Sequence, residues 1–332
     1  MMQFGLIGIG AGAAAALLFA SVTSGSWLSI ILFYLAPLPI MIAGLGWSHW
    51  AALTAALSGA LALGLVFGAV FFFAFLAGAG IPAWWLGYLA MLARPAANPR
   101  ANGHGGGAGA AALEWYPPGR LVAWAAVLAA MIVVVAIPNF GIDGDSFHAG
   151  LRSALARMLR IETGTPADVP VTVPGLANAD RLIDFLVTVI PPAAAVLATI
   201  TNLINLWLAA RIVKFSGRLT RPWPQLSGLT FPRPVAAALA IAMALSFVGG
   251  LVGIVAGVLS ASLLMAYGVL GFAVLHAITQ GMNGRAFLLG GVYGAVLVFG
   301  WPILALCLLG LIDTAFDLRM RVTHKRGPPA HL

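Results

Sequence analysis

From Leu182 to Leu208 the chain carries one acid, Asp184, and no basic residue. That run exceeds the roughly 20 apolar residues needed to cross a bilayer, so it reads as a membrane-spanning helix whose backbone groups satisfy one another inside lipid. Its far end turns basic: Arg211, Lys214, Arg218 and Arg221 follow with no acid between them, and Arg233 closes the segment. Excess Lys and Arg beside a span marks the cytoplasmic side.

Composition extends this reading to the whole chain. With 61% hydrophobic and 8% charged residues, there is too little charge to cover a soluble surface and too much apolar side chain for one core. The sequence therefore predicts an all-α, polytopic membrane helix bundle. The net charge of +8 does not argue for nucleic acid, because the cations cluster at the ends of apolar runs, where they anchor topology. Cys307 is the only cysteine, which excludes an intramolecular disulfide, a Cys-based zinc cluster and a redox pair. The excess of Arg over Lys reads as the usage of a GC-rich bacterial genome.

Met1 to Ala20 has no Lys or Arg before it and is expected to be a retained first helix. Gly8, Gly12, Ala16 and Ala20 recur on one face of it, a stripe suited either to packing within the chain or to a partner helix. Ser26 to Gly46 forms a second span that Pro37 and Pro39 should break. The apolar run from Ala51 to Ala93 needs a cut near Leu65–Gly68, giving a third and a fourth helix, the latter kinked or divided at Pro82. A polar loop, 94–120, reads as flexible and cytoplasmic, with His104 solvated rather than metal-bound. A fifth helix, Leu121 to Ile137, leads to an acidic outer loop, 138–180. Inside it, Phe147, Leu151, Leu155, Met158 and Leu159 make one stripe of an amphipathic helix over Ser146 to Arg160, which would rest on the outer leaflet or act as a lid.

After Arg233, breaks at Gly249-Gly250, Asn283-Gly284-Arg285 and Gly300-Trp301-Pro302 divide the rest into four apolar pieces. The expected total is about ten transmembrane helices, with eight possible if pairs are continuous. Both termini, the 211–233 loop and the 319–332 tail then fall in the cytoplasm of a bacterial inner membrane protein, with residues 1–332 forming a single integral-membrane domain.

Few uncharged side chains with several hydrogen-bonding atoms lie at membrane depth. Asn202 and Asn205 share one helix face, and His276 and Gln280, four apart, share another. Together they are the candidate substrate-binding residues, against the plainer reading of an interhelical hydrogen-bond network. Near the end, Asp313 and Asp317 share a face and Arg321 follows Asp317 by four, so a clamp at the cytoplasmic interface is expected there.

The Pro-Leu-Pro-Ile break at Pro37 to Ile40, the Ser216-Gly217-Arg218-Leu219-Thr220-Arg221-Pro222 segment, and the closing Gly310-Leu311-Ile312-Asp313 with Phe316-Asp317-Leu318-Arg319 resemble the YybS-like family of bacterial integral-membrane proteins. That resemblance implies a distant similarity to the substrate-binding subunits of energy-coupling-factor vitamin transporters. Those subunits dock a transmembrane coupling subunit, which works with ATPases, through small-residue faces, and the Gly8, Gly12, Ala16 and Ala20 stripe matches that use. The sequence holds no P-loop, so a transporter of this type would take its energy from other proteins. A scaffold that recruits cytoplasmic partners through its basic segments is the alternative. No metalloprotease or serine-hydrolase motif occurs, so no enzyme, cofactor or metal is expected.

Overall fold

A computed structural model describes residues 2–95, 113–164 and 178–326. Among the described residues there are fourteen α-helices and one small ribbon, joined by short 3-10 and π turns and loops. The helices are α1 (Met2–Ala20), α2 (Trp27–Tyr34), α3 (Pro37–Gly46), α4 (His49–Phe67), α5 (Ala69–Phe75), α6 (Ile81–Ala90) and α7 (Pro118–Ala136). They continue as α8 (Gly144–Thr163), α9 (Ala179–Phe215), α10 (Arg233–Leu245), α11 (Gly250–Ile278), α12 (Arg285–Phe299), α13 (Ile303–Phe316) and α14 (Leu318–Arg326). The ribbon pairs β1 (Ala93–Pro95) with β2 (Leu113–Trp115), antiparallel, at the base of the 94–120 loop.

Among the described residues, seven helical segments are long and apolar enough to cross a membrane: Gln3–Ser24, Trp27–Gly46, His49–Phe67, Ala69–Ala90, Pro118–Asn139, Ala179–Phe215 and Gly250–Ile278. Three apolar helices are shorter, Arg233–Leu245, Arg285–Phe299 and Ile303–Phe316. Large apolar side chains on these helices face outward; Leu65 is 87% exposed and Phe287 89%. Water would make such faces costly, and lipid makes them the natural outside of a membrane protein.

The breaks have local causes. Gly68, at φ +91, turns the chain between α4 and α5, a backbone conformation that only glycine adopts without strain. Pro82 does not divide its helix. Instead the preceding residues Leu76–Gly80 form a π-turn, and the Ile81 N–H bonds back to Leu76 O, a five-residue step that accommodates the donor Pro82 lacks. At Pro37 and Pro39 the helix does break, into α2 and α3.

The chain packs as two compact units. The first comprises 1–125 and 201–229; the second comprises 126–200 and 230–332.

In the first unit, α1 lies against α4 along the small-residue stripe. A methyl added at Gly8 would meet Thr54 Cβ at 2.7 Å and Ala51 O at 2.8 Å, and one added at Gly12 would sit 2.5 Å from Ala55 O. Gly8, Gly12 and Ala16 are buried there, and Ala20 is half-buried. α4 therefore occupies this stripe within the chain.

In the second unit, α8 begins at a capping box, with Asp143 Oδ1 accepting from the Ser146 N–H at 2.9 Å. Phe147 and Leu151 of α8 are buried with Ile137, Ile183 and Val187, while Leu155 and Leu159 pack on that cluster. Met158 and Ile161, further along the same helix, are exposed. Protein thus covers the stripe apart from Met158. α12 buries none of its residues and touches α11 through a parallel stack of Tyr293 on Phe272, centroids 4.8 Å apart.

Candidate functional site

The polar side chains singled out by the sequence are engaged with backbone. Asn205 is buried, and its amide donates to Tyr34 O and to Thr201 O, each at 2.8 Å. The first bond follows from the break beside it. In an unbroken helix Leu38 N–H would reach Tyr34 O, but with prolines at 37 and 39 it bonds Leu35 O instead, at 3.0 Å. Asn205 supplies the donor that the carbonyl lost, the usual way freed backbone groups are re-satisfied at membrane depth. Asn202, also buried, donates to Ala125 O at 3.5 Å, and Thr199 donates to Ala195 O at 2.8 Å.

His276 and Gln280 belong to the second unit, whereas Asn202 and Asn205 belong to the first. The shared face expected of His276 and Gln280 is not formed, because α11 ends at Ile278 and Gln280 lies in the turn beyond it. The His276 ring is held by Phe272 O, 3.0 Å from Nδ1, and meets Tyr293 edge to face. His104 lies outside the described residues.

The tail clamp forms on Asp313, one of the two acids expected, but with Arg319 as its cation in place of Arg321. α13 stops at Phe316 because Asp317 adopts φ +49, the one non-glycine residue in the left-handed region among those described. Asp313 and Asp317 therefore do not continue along one helix face. The reversal carries Arg319 back to Asp313, 2.7 Å between Nη2 and Oδ2, with side chains 15% and 4% exposed. The Arg319 backbone N–H adds a bond to Asp313 Oδ1 at 3.2 Å.

What the structure does assemble is a partly open apolar cleft of about 140 Å³ in the first unit. One face of α9 (Leu203, Leu206, Trp207, Ala210) forms a wall, and Leu45, the 90–91 and 118–122 stretches and the 219–229 segment complete the lining, nearly all of it carbon. The spacing of the α9 residues, three and four apart, is that of a single helical face, and the Asn202–Asn205 amides lie off it.

Cations edge this cleft. Arg221, in its lining, is 9% exposed and donates to Ala90 O, at the C-terminal end of α6, and to Tyr116 O, both at 2.7 Å. The cation thus caps the last carbonyl of this helix, beyond those of Gly87, Tyr88 and Leu89 that Met91 and Leu92 N–H already serve. Burial pulls its pKa below the ordinary value, though a guanidinium remains charged. Trp223, also in the lining, is approached by two cations, with Arg211 Cζ 5.6 Å and Lys214 Nζ 4.9 Å from its ring centroid. Arg211 lies as well 5.9 Å from the Trp207 ring, and Arg218 4.6 Å from that of Trp47. These residues were legible in sequence as a topology anchor only. The further signal was Trp207 four residues before Arg211 on one helix, followed by Pro-Trp-Pro at 222–224.

A model of the family of predicted membrane proteins, DUF2232, matches residues 115–314. The chain belongs to this family. The match begins in β2 and ends within α13, a range that includes α9 and the 219–229 segment of this DUF2232 member. No curated protein and no solved structure matches the chain.

Proposed function

We propose that the protein is a transporter-like, multi-pass membrane protein that holds a small, largely apolar molecule in the cleft of its first unit and draws on other proteins for energy. The cleft carries this reading: a concave, carbon-lined space with one buried cation in its wall is the form small-molecule sites take. The same unit holds a proline-broken helix and a π-turn, irregular backbone that membrane proteins place where it lines a cavity or is re-satisfied by neighbours. The YybS-like resemblance, and through it the likeness to vitamin-binding subunits, agrees with this reading.

In the same proposal the three shorter apolar helices also cross, making ten spans. The 94–120 and 211–233 segments and both termini lie in the cytoplasm, and α8 lies outside on the outer leaflet. Mass spectrometry of the purified protein tests the function. A small molecule is expected to co-purify with the wild type and to be lost in Ala210→Trp, which fills the cleft, with helical content unchanged. The same molecule retained in Ala210→Trp, or none in the wild type, would end the reading. A membrane-impermeant thiol reagent that modified a cysteine placed at Ser216 in intact cells would reverse the orientation.

A further inference from the structure

The first unit has an unbalanced charge. Its residues include Arg94, Arg100, Arg120, Arg211, Lys214, Arg218 and Arg221 against a single acid, Glu114. Glu114 is already taken by Arg94, at 2.9 Å across the β1–β2 ribbon. Arg211, Lys214 and Arg218 make their described contacts with tryptophan rings. A ring face attracts a cation by its quadrupole, but it offers no oxygen acceptor and carries no countercharge. These side chains are thus positioned by the rings, and among the described residues their donors have no carboxylate or carbonyl partner.

Two of the three are tied to the cleft, because the Trp223 ring that receives Arg211 and Lys214 is itself part of the lining. One small region therefore offers a carbon-lined trough and, at its edge, two ordered cations with no carboxylate of their own unit to meet them. That pairing calls for an amphiphile with an anionic head. Tryptophan and snorkelling Arg or Lys side chains are the residues that settle at headgroup level, and basic sites beside membrane helices take up anionic lipid headgroups there.

We propose that the molecule held in the cleft is an anionic phospholipid, its phosphate at Arg211 and Lys214 and an acyl chain along Leu203, Leu206 and Ala210. This rests on the proposed function in one respect, that the cleft is a binding site. The phosphate supplies charge and several acceptors to donors that lack them, and the chain replaces water over carbon. Arg221 is not needed for the headgroup, since its fork is committed to Ala90 O and Tyr116 O.

Thermal unfolding of the detergent-purified chain, titrated with phosphatidylglycerol, phosphatidylcholine or inorganic phosphate, tests the proposal. Phosphatidylglycerol is expected to raise Tm at concentrations where the other two leave it unchanged. The Arg211→Gln/Lys214→Gln protein is expected to lose that difference, and the charge-keeping Arg211→Lys/Lys214→Arg protein to retain most of it. Folding of each variant is checked by circular dichroism. Equal shifts with both lipids, an equal shift with phosphate alone, or a phosphatidylglycerol preference that survives in the double Gln protein would each overturn it. A neutral molecule that co-purifies with the wild type and is lost in Ala210→Trp, in a protein indifferent to headgroup charge, would overturn the lipid assignment and leave the proposed function standing. A phosphatidylglycerol preference lost in the double Gln protein but untouched by Ala210→Trp would end the cleft reading instead.

Discussion

The two units of this protein treat positive charge differently. In the second, two cations meet carboxylates of the same unit: Arg152 bridges Asp180 at 2.7 Å and Asp184 at 2.5 Å, and Arg319 closes on Asp313. In the first, they meet ring faces and backbone carbonyls, and the single acid serves one arginine. A carboxylate neutralises a cation; a ring or a carbonyl only orients it. These pairs of the second unit are thus complete within the chain, whereas the first unit's cations are the ones the proposal assigns to a ligand. The contrast sets Arg and Lys that are paired with acids beside Arg and Lys that are only oriented, although all lie beside apolar helices.

Mutation can break this contrast, and the largest effect belongs to the most buried pair. Asp313→Ala removes the buried carboxylate that faces the largely covered Arg319 guanidinium, and loss of one partner from a buried pair costs about 3–5 kcal/mol. A large drop in Tm is expected, and a shift of a degree or less would show that solvent reaches Arg319. Arg221→Met comes next. It strands two carbonyls, a cost of about 1–3 kcal/mol, part of which is returned because no cation has to be desolvated. Its Tm is expected to lie between those of wild type and Asp313→Ala; a value below Asp313→Ala would mean that carbonyls hold charge as firmly as carboxylates here. Arg152→Gln is expected to be the mildest. The hydrogen bond to Asp180, then the two nearby carboxylates, hold the Arg152 pKa above its ordinary value, but all three side chains are well exposed. Exposed pairs are worth under about 1 kcal/mol. A fall in Tm rivalling that of Arg221→Met would show that α8 is fastened by charge rather than by Phe147 and Leu151.

The sequence was informative where one residue type decides the outcome. Gly68, the Pro37 and Pro39 pair, Gly249-Gly250 and Gly300-Trp301-Pro302 all fall at helix ends, where a positive φ or a missing donor decides locally, although Pro82, Pro191 and Pro192 stay within helices. It was silent where the outcome depends on a distant or unusual partner. Nothing local ties Asn205 to Tyr34, and the bond exists because two prolines far away in the chain displaced a donor. Asp317 could not be foreseen as a stop, since the left-handed region is rarely entered by any residue but glycine, and that stop decided which acid Arg319 would meet. The two three-residue strands, one ending in Pro95, are too short to give a period. The cleft draws its walls from five stretches of chain, so its Trp and Arg residues read individually as membrane anchors, and only their assembly suggests a site.

One dimension of α9 bears on the surrounding lipid. Between Asp184 and Arg211 the helix carries no charge, a stretch of about 39 Å at the usual rise of about 1.5 Å per residue. A hydrocarbon layer is about 30 Å thick. The surplus must be absorbed by lean of the rod, by bending where Pro191 and Pro192 lie within it, or by local swelling of the bilayer. A rod with acids at one end and cations at the other cannot slide to hide its excess, since sliding would draw charge into oil. α9 therefore makes this protein sensitive to the thickness of its membrane, and lipids with longer tails relieve a mismatch that thin bilayers impose.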